Sequence, residues 1–139
     1  MVEISFKDIK SVKGLKKNSL KNFVKQLLGN ESFVLGDVSI VFCSDDFLLE
    51  LNKQYLNHDY FTDIITFDYS EGKVVNGDLM ISLDRLNENA LLNNVSCLHE
   101  LHRVVFHGCL HLCGYKDKKV SDKKLMTQKE DFYLNLFLS

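Results

Sequence analysis

A chain of 139 residues and 16.0 kDa has room for one compact core that buries roughly two thirds of its unfolded surface, and its 45% hydrophobic, 26% charged and 11% aromatic content excludes disordered, collagen-like and coiled-coil chains. The net charge of −2 excludes a global basic field. No stretch approaches the ~18 apolar residues of a membrane span, and the charged, alternating start MVEISFKDIKSVK lacks a signal-peptide apolar block, so the chain reads as cytoplasmic with no membrane partner.

Val2, Ile4 and Phe6 alternate as in a half-buried strand. Leu20, Phe23, Val24, Leu27 and Leu28 then recur at helical spacing with lysines on the other face, and Gly29 suits the left-handed residue that ends such a helix. Val38, Ile40 and Phe42 alternate as a second strand. Ser44 is placed to cap the next helix, which has Asp45 and Asp46 in its first turn and Phe47, Leu48, Leu51 and Tyr55 as its buried stripe. ITFDY and GDLMISLD read as two more strands around a turn at Glu71 and Gly72, as in a hairpin. A short helix near Asp84 to Leu92 leads to Ser96, the cap of a long apolar helix through about Cys113 that Gly114 terminates. Ser121 and Asp122 open a last helix with Leu125, Phe132, Tyr133 and Leu136 facing inward. The sum is α+β, about four strands in one sheet covered by helices. With no proline, repeat or linker, residues 1–139 read as a single domain. Cys43, Cys97, Cys109 and Cys113 lack CxxC spacing and read as buried reduced thiols.

The chemistry is concentrated in HGCLHLCGYKD, from His107 to Asp117. Four residues apart on a helix, His107 and His111 lie ~40° apart on one face and ~6 Å apart along the axis, so two imidazoles can share one metal ion. The Gly114 turn can bring Asp117 back as a third ligand, leaving a fourth position for water, as in catalytic zinc sites. A bare HxxxH equally fits two packed or surface histidines; the glycine turn and the acid weigh toward the metal. Cys109 and Cys113 point to the opposite, core-facing side, while His58, His99 and His102 read as polar surface residues.

HGCLHLCGYKD resembles the signature HGxLHLxGYDH of the YbeY family, bacterial metal-dependent endoribonucleases and rRNA maturation factors. LNKQYLNHDYFTDIITF, from Leu51 to Phe67, is similar to the family's LNxxYRxxDxxTNVLSF; Gly77 and Asp78 match its glycine-acid strand, and Met126 and Glu130 its acid-rich final helix. The resemblance implies a small mixed sheet with helices. It also implies one divalent ion, zinc, held by His107, His111 and Asp117 on the long helix and the turn after it. Hydrolysis of single-stranded RNA follows from it too, in processing of the 3′ end of small-subunit rRNA and in ribosome quality control, with rRNA and the small ribosomal subunit as partners and no cofactor but the metal.

Two departures stand out. Asp117 replaces the family's usual histidine, which lowers the site's net charge and makes harder divalent ions better competitors. Leu56 stands where the family has arginine, so a phosphate clamp is missing, and Arg103, one turn before His107 on the same face, is a candidate replacement. Zinc peptidases need a glutamate after the first histidine, in HExxH; Gly108 stands there, which argues against peptidase chemistry. Asp63 and Asp78, at strand edges in segments that the resemblance places near the site, are candidate general bases. Lys13, Lys16, Lys17, Lys21 and Lys25 are candidates for the wall of an RNA groove, against the plainer reading of a solvated face. Two other readings compete: a non-catalytic RNA-binding ribosome-assembly factor with a structural metal, and, more remotely, a facial-triad iron oxygenase.

Overall fold

A computed structural model describes residues 1–139. The elements run β1 (Val2–Lys7), α1 (Lys17–Asn30), β2 (Val34–Cys43), α2 (Asp45–Leu56), β3 (Ile64–Asp68), β4 (Val74–Ser82), α3 (Leu83–Leu92), α4 (Cys97–Leu112) and α5 (Val120–Leu138). The four strands form one mixed sheet in the order β1-β2-β4-β3. β1 and β4 flank β2 in parallel, and β3 returns antiparallel to β4 as the expected hairpin.

Alternation sorts the two faces of the sheet. Val38, Ile40 and Phe42 of β2 and Val75, Leu79 and Ile81 of β4 point into the main core, which α1, α4 and α5 close with Leu20, Leu27, Val105, Phe106 and Tyr133. The opposite face carries a smaller cluster, Cys43 and Ile65 under Leu48 of α2. Serine Oγ atoms cap three helices as acceptors: Ser44 from Phe47 N, Ser82 from Arg85 N and Ser96 from His99 N. No helix is long and apolar enough to cross a membrane. All four cysteines are free, and burial pushes the Cys43 thiol up to about 12.

Three local expectations are corrected. Gly29 does not end α1: the helix continues to Asn30, and Ser32 takes the left-handed conformation (φ 68), which places Glu31 against Tyr133 of α5 and Tyr115 in the turn after α4. Tyr55 does not join the buried stripe of α2 but is 66% exposed, its ring set edge-on to Phe67. On α5, Leu125 and Phe132 are 45% and 55% exposed, and Leu136 is exposed as well. The buried face there is Met126, Glu130, Tyr133 and Leu134, because the helix is turned to bury a carboxylate that belongs to the site.

Candidate metal centre

The site is built where α4 ends. Gly114 adopts φ +96, and the chain closes the helix with Gly114 N donating to His111 O at 2.9 Å and Tyr115 N to Leu110 O at 3.1 Å, a Schellman turn. That turn folds Asp117 back over the last turn of α4. It also presents the Tyr115 carbonyl to His111, 2.8 Å from Nδ1. Between the histidines, Gly108 lets α4 settle on the sheet: a Cβ there would lie 2.8 Å from Leu79 Cδ2 and 2.9 Å from Ile64 Cδ1. The glutamate of a zinc peptidase has no room at this position.

His107 Nε2 and His111 Nε2 are 3.0 Å apart, and each is 3.3 Å from Asp117 Oδ2. Ligand atoms at about 2.0–2.1 Å from a tetrahedral ion stand about 3.3 Å from one another, so this triangle has the size of one face of such a site. The hydrogen bonds agree. A carbonyl oxygen cannot donate, so His111 Nδ1 carries the proton against Tyr115 O, and His107 Nδ1 lies 2.6 Å from the Glu130 carboxylate. In its neutral form, each ring so arranged turns an Nε2 lone pair toward the Asp117 carboxylate. Three electron-pair donors converge on one point, an arrangement that a cation satisfies and that repels itself without one.

Behind His107 lies a buried ion-paired cluster. Arg103 Nη1 donates to Glu130 Oε1 at 2.7 Å and its Nε to Glu100 Oε1 at 3.3 Å, with the two glutamate side chains 5% and 2% exposed. Burial works to lower the His107 pKa, but the hydrogen bond and charge of Glu130, with Asp117 and Asp63, prevail and raise it.

Two cavities meet at His107, Asp63 and Asp117. One, of about 270 Å³, is lined by Asp63, Arg103, His107, Asp117, Lys123 and Glu130 among others. The second, about 680 Å³, runs past His107, His111 and Asp117 to Thr66, Lys118, Leu56 and the His58–Tyr60 pair. Those two rings are stacked at 5.0 Å, with the Tyr60 hydroxyl 2.9 Å from His58 Nδ1. Buried Asn52 holds the loop on both sides, its carbonyl accepting from His58 N and its Nδ2 donating to Tyr60 O.

The structure thus brings together His107, His111, Asp117 and Asp63, and departs from the other expectations. Asp78 points away, because neighbouring Gly77 and Leu79 face α4, and it lines a separate hollow with Glu3 and Asp37. Arg103 is no free clamp, since two buried carboxylates outweigh its charge. Lys13, Lys16, Lys17, Lys21 and Lys25 line neither cavity at the histidines; Lys118 and Lys123 do. His58 is part of the cleft wall, and His102 is packed between Phe106 and Phe137, not set on the surface. Glu130 is matched in sequence only to the family's final helix, with no contact to His107 expected, and Tyr115 carries no expectation at all, because a backbone carbonyl leaves no trace in sequence.

Against known families, residues 3–137 match the model described as Endoribonuclease YbeY. Proteins of that name are similar to this chain in Flavobacterium psychrophilum, at 49% identity over 84% of this chain and 83% of the relative, and in Parabacteroides distasonis, at 45% over 84% and 82%. The solution structure of TM1509 from Thermotoga maritima shares the fold, with a TM-score of 0.70 and 29% identity over 99% of this chain and 89% of that one.

Proposed function

The chain belongs to the YbeY endoribonuclease family, and from that premise we propose a metal-dependent endoribonuclease, formed by residues 1–139 as one domain. It acts on single-stranded RNA in rRNA processing, at the 3′ end of the small-subunit rRNA and in ribosome quality control, in the cytoplasm and in company with the small ribosomal subunit. The observation that carries the proposal is the triangle of His107, His111 and Asp117 at the junction of two open cavities.

In this reading those three side chains hold one divalent ion, zinc. Bound there, the ion supplies Lewis acidity to the scissile phosphodiester and its attacking or leaving oxygen. The chain's own residues do the rest. Asp63, which borders both cavities beside His107, takes the proton of the attacking oxygen on its carboxylate. Asn89 Nδ2 lies 3.4 Å from Asp63 Oδ2 and steadies it. Lys123 and Lys118, one in each cavity, offset phosphate charge on the two sides of the centre. The exposed rings of His58 and Tyr60 offer a platform for an unpaired base, which a duplex would keep in its stack.

Cleavage of a precursor small-subunit rRNA 3′ end is the test, with zinc-loaded protein beside an identically purified Asp117→Ala variant. Cleavage by the first alone supports the proposal. Equal cleavage by both marks a contaminating ribonuclease, and RNA binding without cleavage by either would make the protein a non-catalytic assembly factor with a structural metal.

A further inference from the structure

We infer that Glu130, held by Arg103, is a positioning residue for the metal centre: it fixes His107 as the Nδ1–H tautomer and thereby sets how tightly the centre holds a divalent ion. The inference rests on the metal reading above and goes beyond it to residues outside the ligand set.

The geometry leaves Arg103 and Glu130 little other work. Glu130 reaches from α5 to α4, with Oε2 on His107 Nδ1 at 2.6 Å and Oε1 on the Arg103 guanidinium at 2.7 Å. Glu100 takes a second Arg103 nitrogen. Two nearly buried carboxylates sharing one arginine form a costly arrangement, and apolar residues of the same volume commonly serve stability as well or better. What apolar residues cannot do is hold an imidazole proton in place. A carboxylate on Nδ1 commits the ring's other lone pair to Nε2, raises its basicity and locks the ring angle. His111 receives a neutral carbonyl instead, so the two rings are tuned differently and only His107 depends on α5. Arg103 in turn keeps Glu130 aimed at His107; with lysine there, one ammonium cannot reproduce the guanidinium fork.

The test reads zinc affinity by competition with a chromophoric chelator, with folding followed by circular dichroism and the His107 tautomer by ¹⁵N NMR of the metal-free protein. Wild type should show the proton on Nδ1. Folded Glu130→Gln should bind zinc 10–100-fold more weakly, and Arg103→Lys should lie between the two. Glu130→Asp keeps the charge but withdraws it by one methylene, and should fail to restore affinity; it carries the same expectation if Glu130→Gln does not fold. Variant affinities within twofold of wild type, or an Nε2–H tautomer in the wild type, overturn the inference. If the wild type binds no zinc, it is the metal reading that fails, and the tautomer measurement still decides the role of Glu130.

Discussion

A single side chain shows how far burial can shift chemistry in this chain. His102 is packed against Phe106 and Phe137, with ring centroids at 6.2 and 4.6 Å, and burial, aided by nearby His99, lowers its pKa to about 4. A depressed histidine pKa means that the unfolded chain takes up a proton before the folded one does. The stability contributed by the neutral ring is therefore complete above about pH 6.5 and is lost as pH falls from there toward 4. His102→Phe should flatten urea-unfolding stability across that window, whereas the wild type should weaken steadily. At the same scale, the two histidines and the acid of the triangle were legible because helical spacing and a glycine stop are local signals. Glu130 was not, because its role depends on a helix that packs back from later in the chain.

Among the elements, α4 matters most, and its placement turns on Gly108. Because a Cβ at Gly108 would stand only 2.8 Å from Leu79 Cδ2 and 2.9 Å from Ile64 Cδ1, Gly108→Ala must displace those side chains or the helix and should cost about 1–3 kcal/mol in denaturant unfolding. A neutral result would show that the two side chains can move aside. Strands and capped helices were readable from alternation and serines, and the hairpin from its turn. The inward face of α5 was misjudged because the apolar stripe Leu125, Phe132 and Leu136 competes with a face containing Glu130, and the charged side chain won through its partners Arg103 and His107. The register that turns Asp78 from the site was equally invisible, since the one-residue alternation of a strand decides the face but not which helix covers it.

Across the whole molecule, Glu31 acts as a tie. At the end of α1 its nearly buried carboxylate accepts from the hydroxyl of Tyr115, at 2.6 Å, from that of Tyr133, and from Lys129 Nζ at 3.3 Å, joining α1 to the turn after α4 and to α5. Burial tends to raise its pKa, but these three donors together lower it. Its contribution is thus present above the ordinary glutamate range and is lost as pH drops through the lowered value. Glu31→Ala leaves the buried Tyr133 hydroxyl without its acceptor, should cost about 1–3 kcal/mol and should remove part of the acid dependence of unfolding; a variant as stable as wild type at pH 7 would refute the tie.

The Schellman turn at Gly114 has a further consequence, one of time. The same two amides that close α4 also fix the carbonyl holding His111, and Asp117 hangs from the same corner. Were an ion held there, opening of that corner would loosen Asp117 and the partner of His111 together, so amide exchange at Gly114 and Tyr115 should slow when zinc is added, and an unchanged rate would uncouple the turn from the centre.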